Sequence, residues 1–312
     1  MTRYVVQRVL LGVVQVVLVM AGMFFLTEAL PGDAAVTIAG DNPDPAVIAA
    51  LREKLGLDES AWHRLGEWLV KALHGDFGQS LVGPRSVADL IAAAAAPTAL
   101  LACLTLVLLI PLSVGLGMLA ARREGGRLDR IITGSTLGLY SAPEFAMGIL
   151  LVTVFAVKLA WFPPTAVGTS LTSNPAVLVL PVFVLLLRPI CSLSRLVRAG
   201  MIDAEQSEYV RHVRRAGLSP TRVRLAHALP NAIAPSVQQL ARTVDWLVGG
   251  VIVIEAIFVV PGLGTALADA VAARDLPVIQ GLAVVLATTT VLVNLAADLA
   301  ARILAPAAEA GR

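Results

Sequence analysis

Residues 90–121 read LIAAAAAPTALLACLTLVLLIPLSVGLGMLAA, a run of 32 residues without a charged side chain. A helix of about 20 apolar residues is long enough to cross the hydrocarbon core of a bilayer. The run is therefore longer than one membrane span requires. We expect its alanine-rich start, residues 92–97, to approach the membrane as a helix, and the span itself to cover about 98–119.

The composition of the whole chain agrees with this segment. Of 312 residues 57% are hydrophobic and 15% are charged, and the mean hydropathy is +0.81. A soluble domain carries roughly a quarter charged residues, so 24 basic and 22 acidic side chains are too few to cover a soluble surface. The net charge of +2 also disfavours a nucleic-acid-binding protein. Cys103 and Cys191 both lie in apolar runs and are interpreted as packing residues, without a disulfide framework.

Five further apolar stretches have the length of a membrane span. They cover about residues 9–27, 132–155, a part of 176–196, 244–260 and 276–297. The first could be a cleavable signal peptide, but it is longer than a typical signal core and lacks a small-residue cleavage site. The sequence therefore predicts an all-α polytopic membrane protein with six transmembrane helices.

The distribution of lysine and arginine predicts the orientation of the spans. With a cytoplasmic N-terminus, 16 of the 24 basic residues lie on the cytoplasmic side and 7 on the opposite side, while Arg188 lies within a span. Basic residues near span ends favour the cytoplasmic side. Both termini are therefore predicted to be cytoplasmic.

These spans divide the chain into three regions. We expect helices at 46–57 and 61–73, both within the extracytoplasmic region (31–94). The regions are the cytoplasmic N-terminal end with the first span (1–30), an extracytoplasmic region (31–94), and a core with the remaining five spans (95–312) that includes a basic segment at 197–241.

The basic segment (197–241) predicts two short helices joined at Gly217. The first would cover 205–216, with Tyr209, Val213 and Ala216 on its apolar face. The second would begin with a serine N-cap and a proline at 219–220 and end near 229–231. Local chemistry leaves three interpretations open: a basic loop without a partner, a helix-turn-helix contacting DNA, or an element that transmits motion from a cytoplasmic motor. The DNA-binding alternative is disfavoured because no third helix is available to support a recognition helix.

A resemblance selects among these interpretations. The stretches EYVRHVRRAGL (208–218) and HALPN (227–231) resemble the cytoplasmic signature loop of binding-protein-dependent ABC importer permeases. More narrowly, they are similar to the dipeptide/oligopeptide/nickel branch, and to its first-permease (B-type) subunit. Where the general signature opens with Glu-Ala-Ala, this chain has RHV at 211–213, and an arginine at that position is usual in the peptide branch.

The resemblance extends over nearly the whole chain. The stretches that carry it are LPGD (30–33), LGLD (55–58), GDFGQS (75–80), SAPEF (141–145), EAIF (255–258), PGLG (261–264) and DLP (275–277). At the C-terminus the family's usual Asp-Pro-Arg is replaced by LAPA at 304–307.

The resemblance implies a type I ABC importer permease fold in a bacterial cytoplasmic membrane. It implies a hetero-oligomer with a second permease, two ATP-binding subunits and an extracytoplasmic substrate-binding protein. No phosphate-binding loop motif occurs in the sequence. We therefore expect a transport subunit without catalytic residues, metal or cofactor of its own, with ATP and magnesium bound by the partner subunits. The implied ATPase-coupling residues are Glu208, Tyr209, Arg211, Arg214, Gly217 and Leu218.

Charged residues within the predicted spans are candidates for the translocation pathway or its gate, because a charge in a bilayer is costly. These candidates are Glu144, Arg188, Glu255 and the neighbouring Phe258. Arg188 could attract a peptide carboxylate, or instead pair with Glu144 or with the partner permease, or extend toward the interface. Glu255 is expected to support an outer gate. Asp298 and Arg302 are predicted to form a structural i, i+4 pair.

The predicted substrate class is di- and oligopeptides. Nickel, glutathione and haem importers share this permease type and remain alternatives. An ion-coupled secondary transporter is the alternative from a different class, although the repeats typical of such carriers are not visible. A membrane-embedded enzyme is disfavoured because all four histidines lie outside the predicted spans.

Overall fold

The computed structural model describes residues 2–28, 44–54, 58–168, 171 and 173–304, and this part of the chain is helical apart from turns and one isolated bridge between Gln79 and Ser86. The helices are α1 (Thr2–Glu28), α2 (Pro45–Lys54), α3 (Ala61–Leu73), α4 (Val87–Ala121), α5 (Arg127–Tyr140), α6 (Glu144–Leu151), α7 (Val179–Gln206), α8 (Glu208–Arg215), α9 (Pro220–Arg222), α10 (Leu229–Ala232), α11 (Ala234–Phe258), α12 (Leu263–Ala273) and α13 (Leu276–Leu304). A π-helical stretch, Val152–Lys158, continues α6, a 3₁₀ turn, Pro175–Leu178, precedes α7, and a second π-helical stretch, Val223–Ala228, joins α9 to α10. The all-α prediction is confirmed.

Four helices in the described part of the chain are long and apolar enough to cross a membrane on their own: α1, α4, α7 and α13. Counting each of two bent helix pairs as one broken span gives up to six. The pair of α5 with α6 bends by 103° and the pair of α11 with α12 by 69°. The first bend follows from Pro143, which precedes α6 and disfavours helical backbone in the residue before it. The second follows from Val259, whose φ of +50° ends α11.

The predicted approach helix at 92–97 is not separate from the second span. Both belong to α4, which continues through Pro97 and Pro111. An interior proline removes one amide donor, whereas ending the helix would leave several backbone groups without partners in an apolar medium. The helix predicted at 61–73 is confirmed as α3. The helix predicted at 46–57 corresponds to α2, and residues 55–57 lie outside the described part, as does the LPGD motif.

The chain divides into two compact units, of which the first comprises the described parts of residues 1–95 and 266–292. Within it, aromatic rings join the end of α1 to α3. The ring centroids of Phe25 and Trp62 lie 5.0 Å apart, and those of Phe24 and Trp68 lie 6.3 Å apart.

Asp275 organises a second contact inside the first unit. This buried carboxylate accepts hydrogen bonds from the Ser80 hydroxyl and from the Leu81 N–H, the latter at 3.2 Å. Two stretches that carry the family resemblance, GDFGQS and DLP, therefore meet although nearly 200 positions separate them in the sequence.

The second unit comprises residues 96–265 and the described part of 293–312. Its apolar core is built around α7. In the most apolar stretch of that helix 67% of the residues are buried, against 17–22% in the corresponding stretches of α1, α4 and α13. Core side chains with little or no exposure include Leu101, Leu109, Leu185, Leu247, Ile254 and Phe258. The three less buried helices leave much of their apolar surface uncovered by their own chain, which is the pattern expected of helices that face lipid or other subunits.

The helices α7 and α10 approach closely at Gly200 in the second unit. A Cβ atom added to Gly200 would overlap the Ala232 carbonyl oxygen and lie 3.0 Å from the carbonyl carbon. Only glycine permits this approach, and backbone atoms cannot move aside as the end of a flexible side chain can.

We expect Gly200→Ala to destabilise the chain by about 1–3 kcal/mol, the cost typical of overpacking a tight contact. Gly115→Ala is the matched control, because that helical glycine has open space around its Cβ position and should gain about 0.5–1 kcal/mol in helix propensity. The measurement is the midpoint of thermal denaturation of each purified variant in detergent. Equal midpoints for the two variants would contradict the assigned contact.

Candidate functional site

The basic segment (197–241) is helical over most of its length. The helix predicted at 205–216 begins three residues later, at Glu208. The extended backbone of Ser207 separates this helix from the end of α7. The Ser207 hydroxyl accepts a hydrogen bond from the Val210 N–H at 3.3 Å and caps α8, so Glu205 belongs to the end of α7. The predicted turn at Gly217 is confirmed, with a φ of +81°.

The second predicted helix begins and ends close to where the sequence predicts. Ser219 caps α9 by accepting a hydrogen bond from the Arg222 N–H at 3.4 Å, and Pro220 occupies the first turn. The expected end near 229–231 is confirmed to within one residue, because the helix continues through the π-helical stretch and ends with α10 at Ala232. Pro230 lies in the first turn of α10, where a missing N–H costs little.

The apolar face of α8 differs from the predicted one. Tyr209 and Ala216 are exposed, whereas Val210 is fully buried and Val213 is half-buried. Helical periodicity permits either of two adjacent stripes, and the packing of α8 against α7 selects the stripe containing Val210. The enclosing cluster of apolar side chains consists of Val197, Met201, Ala204, Val210, Val223, Ala228 and Ala232.

Polar contacts fix α8 to the rest of the basic segment. The Glu205 carboxylate at the end of α7 accepts hydrogen bonds from Arg224 at 3.0 Å and from Arg214 at 3.4 Å. The Tyr209 hydroxyl lies 2.8 Å from Nδ1 of His227. One carboxylate thus joins α7, α8 and the π-helical stretch.

The outward face of α8 presents most of the predicted coupling residues. Side-chain exposure is 81% for Glu208, 51% for Arg211 and 52% for Arg214. Glu208 accepts a hydrogen bond from Arg211 at 2.8 Å, which leaves both groups at the surface. Tyr209 and Gly217 are exposed as well. Leu218 differs from these five, because it is half-buried and packs against the apolar cluster of its own chain.

Two of the pathway candidates meet in the structure. The Arg188 guanidinium donates a hydrogen bond to Glu144 over 3.3 Å and lies 5.3 Å from the centre of the Tyr140 ring. The Arg195 guanidinium lies 5.2 Å from the centre of the same ring. Of the alternatives for Arg188, the structure therefore shows the ion pair with Glu144. The Arg188 side chain remains half exposed in this pair.

The other two candidates lie in the core. Glu255 is fully buried and accepts hydrogen bonds from the Thr98 hydroxyl at 2.6 Å and from the Gly264 N–H at 2.7 Å. Thr98 also accepts a hydrogen bond from the Leu263 N–H at 2.8 Å. Thr98 and Glu255 thus accept hydrogen bonds from the first two amides of α12. Amides at the start of a helix have no partner within the helix itself. Phe258 is 1% exposed, and its carbonyl accepts a hydrogen bond from Ala166. A supporting role at an outer gate stays a prediction for both residues.

No local feature of the sequence indicates the ion pair of Asp129 and Arg198 in the second unit. Arg198 donates two hydrogen bonds to the Asp129 carboxylate, at 2.5 and 2.6 Å, and Asp129 is buried. Asp129 also accepts a hydrogen bond from the Gly125 N–H at 2.8 Å. The partners lie 69 positions apart, so neither spacing nor periodicity relates them. The side chains of the predicted Asp298–Arg302 pair lie outside the described part.

One group of potential metal ligands was overlooked in the sequence. Glu59, just before α3, and His63 and Glu67 in its first two turns place ligand atoms within 4.8 Å of one another. All three are exposed, and His63 and Glu59 already form a hydrogen bond of 2.6 Å with each other. The prediction that the chain holds no metal is neither confirmed nor contradicted by this surface group.

Comparisons with known proteins agree with the resemblance. Residues 113–309 match the family model of the binding-protein-dependent transport system inner membrane component, and residues 1–87 match the model of its N-terminal part. The glutathione transport system permease protein GsiC of Escherichia coli strain K12 is 36% identical over 299 residues, with 96% of each chain covered. GsiC of Shigella boydii serotype 4 is 35% identical over 306 residues, with the same coverage. The chain therefore belongs to the binding-protein-dependent transport system inner membrane component family and is an ABC importer permease of the peptide, nickel and glutathione type.

Proposed function

We propose that this chain is the first permease subunit of an ATP-driven importer for small peptides, with glutathione, itself a tripeptide, among the candidate substrates. The similarity to glutathione permeases over 96% of the chain supports this substrate class. The complex would contain a second permease, two ATP-binding subunits and an extracytoplasmic substrate-binding protein. The absence of a phosphate-binding loop motif from the sequence is consistent with ATP hydrolysis by the partner subunits.

The observation that carries the proposal is the two-sided character of α8. One side of the helix is enclosed by its own chain through Val210, while the other side presents Glu208, Arg211 and Arg214 without covering. A helix that packs against its own chain on one side and exposes charged side chains on the other is suited to docking against another protein. We propose that α8 docks against the ATP-binding subunits.

The packing offers a route from α8 into the membrane. Glu205 joins α8 to the end of α7 through Arg214, and Val210 packs in one cluster with Met201 and Val197 of α7. Since α7 is a single helix of 28 residues, a displacement of α8 would move the membrane-embedded part of α7, which carries Arg188. Rigid elements of this kind transmit switching motions.

The proposed orientation places α8 in the cytoplasm. Eight of the 24 basic residues lie between Arg195 and Arg242, and basic residues near span ends favour the cytoplasmic side. With six spans, both chain termini would lie on that side too.

We expect peptides to stimulate ATP hydrolysis by the reconstituted complex with its substrate-binding protein, by about tenfold if substrate delivery lowers the barrier by ~1.4 kcal/mol. The panel contains glutathione, dipeptides, longer peptides, a nickel chelate and haem, and phosphate release is the measurement. Stimulation by nickel or haem alone would contradict the substrate class.

The ion-coupled alternative is tested in the same proteoliposomes. Uptake should stop when the ATP-binding subunits carry an inactivated phosphate-binding loop, whatever ion gradient is imposed. Uptake driven by an ion gradient without ATP would overturn the proposed energy source.

A further inference from the structure

A cavity of about 160 Å³ lies in the second unit, beside the Arg188–Glu144 pair. Three helices line it. From α5 comes Tyr140, from α7 come Arg188 and Ser192, and from α11 come Gln239, Arg242 and Trp246.

The described lining contains two guanidinium groups and no carboxylate, although Glu144 pairs with Arg188 beside the cavity. Arg188 and Arg242 both line the cavity, and no acidic side chain does so within the described part of the chain. Arg188 has one carboxylate partner, Glu144, at 3.3 Å, and Arg242 forms no ion pair with any side chain that the structure describes. Arg188 lies within a predicted span, where a guanidinium group is costly and marks a functional site, and Arg242 lies just before the predicted span at 244–260.

The remaining lining groups fit the end of a peptide. Ser192 and Gln239 supply a hydroxyl and an amide that can pair with a peptide group, and Trp246 supplies an apolar wall. Sites for whole drug-sized ligands measure roughly 300–1,000 Å³. At about 160 Å³ the cavity accommodates one end of a peptide rather than a complete oligopeptide.

We propose that this cavity binds the terminal carboxylate of the transported peptide, with Arg188 and Arg242 as the recognising groups. The planar guanidinium is suited to carboxylate oxygens because it donates paired hydrogen bonds. The inference rests on the proposed function and adds the part of the substrate that this chain recognises.

Glu144 can help to release the bound substrate, because it competes with the substrate carboxylate for Arg188. Its bond to Arg188 is long at 3.3 Å, and the Arg188 side chain is 49% exposed, so a substrate carboxylate can reach the guanidinium from its open side and weaken the bond to Glu144. When the substrate leaves, Glu144 pairs with Arg188 again. A site on a transport pathway must bind weakly enough to let its ligand go.

The test measures the electrostatic preference of the cavity in the complete transporter complex. Cys103 and Cys191 are replaced by alanine, and Ser192→Cys introduces one thiol into the lining. The modification rates by an anionic and by a cationic methanethiosulfonate reagent are then compared by mass spectrometry of this chain. Charge-lined clefts raise the association rates of oppositely charged solutes by about 10–1,000-fold, so the anionic reagent should react at least about tenfold faster.

Two substitutions should remove this preference, and one should not. Arg242→Gln and Arg188→Gln are each expected to bring the ratio of rates close to that of the free reagents. Arg122→Gln is the matched control, because Arg122 follows the end of α4 and does not line the cavity. A ratio near that of the free reagents in the parent protein, or no reaction with either reagent, would overturn the proposal.

Protection experiments identify the ligand. A dipeptide should slow modification, and the same dipeptide with an amidated C-terminus should not. Protection by inorganic phosphate without protection by the dipeptide would assign the cavity to a phosphate-bearing ligand, such as a lipid headgroup, and would contradict the proposal. ATP-driven uptake of the same dipeptide is measured in parallel. Normal uptake without protection would refute the cavity assignment alone, whereas absent uptake would refute the proposed function.

Discussion

Substitution of Gly217 by tryptophan is expected to stop substrate uptake while the chain still inserts into the membrane. The φ of +81° at Gly217 is unfavourable for any residue with a side chain, at about 1–2 kcal/mol. No heavy atom lies within 4 Å of a Cβ atom placed there, so a side chain can begin at this position without a clash with this chain. The ring would instead project beside the outward face of α8. Loss of an interface contact worth about 2 kcal/mol corresponds to roughly a 30-fold fall in affinity for the ATP-binding subunits.

The alanine variant separates backbone strain from bulk. Gly217→Ala carries the same strain and has no ring, so we expect it to retain most of the uptake. The measurements are uptake into proteoliposomes, the amount of chain in the membrane, and co-purification of the ATP-binding subunits. Normal uptake by the tryptophan variant would refute the docking role of this surface. An equal loss in both variants would assign the effect to backbone strain.

Local features of the chain were predictable because their causes lie within a few residues. Apolar runs of span length indicated the membrane helices, and the glycine, serine and proline at 217–220 indicated the turn and the start of α9. The 103° bend before Glu144 also has a local cause, the proline that precedes it. None of these features depends on residues far along the chain.

Contacts between distant positions could not be predicted in the same way. Periodicity allowed two apolar stripes on α8, and only the packing against α7 decided for Val210. The partner of Glu205 at Arg224 lies 19 positions away, and the partner of Glu255 at Thr98 lies 157 positions away. A charged or polar residue in a span indicates that a partner is needed, because an unpaired one is costly. The identity of that partner depends on the tertiary arrangement.

The pair of Asp129 with Arg198 is expected to contribute strongly to the stability of the second unit. We expect Asp129→Asn to lower the free energy of unfolding by about 3 kcal/mol, the lower end of the range for breaking a buried ion pair. The lower end applies because Asp129 is almost entirely enclosed, at 5% side-chain exposure, whereas Arg198 keeps 25%. The asparagine would leave the Arg198 guanidinium partly buried without a carboxylate. The measurement is the fraction of the complex that remains monodisperse after heating, followed by size-exclusion chromatography.

The double variant Asp129→Asn with Arg198→Met shows whether the cost comes from a stranded charge. Arg198→Met alone strands the buried Asp129 carboxylate and should also cost about 3 kcal/mol. Combined, the two substitutions leave no charge, and the asparagine oxygen can still accept the hydrogen bond from the Gly125 N–H that Asp129 accepts at 2.8 Å. The double variant should therefore lose only about 1 kcal/mol, the net worth of the lost hydrogen bonds, and be more stable than either single variant. If the losses of the single variants simply add in the double variant, the two side chains act independently, and the ion pair is not the source of the stability.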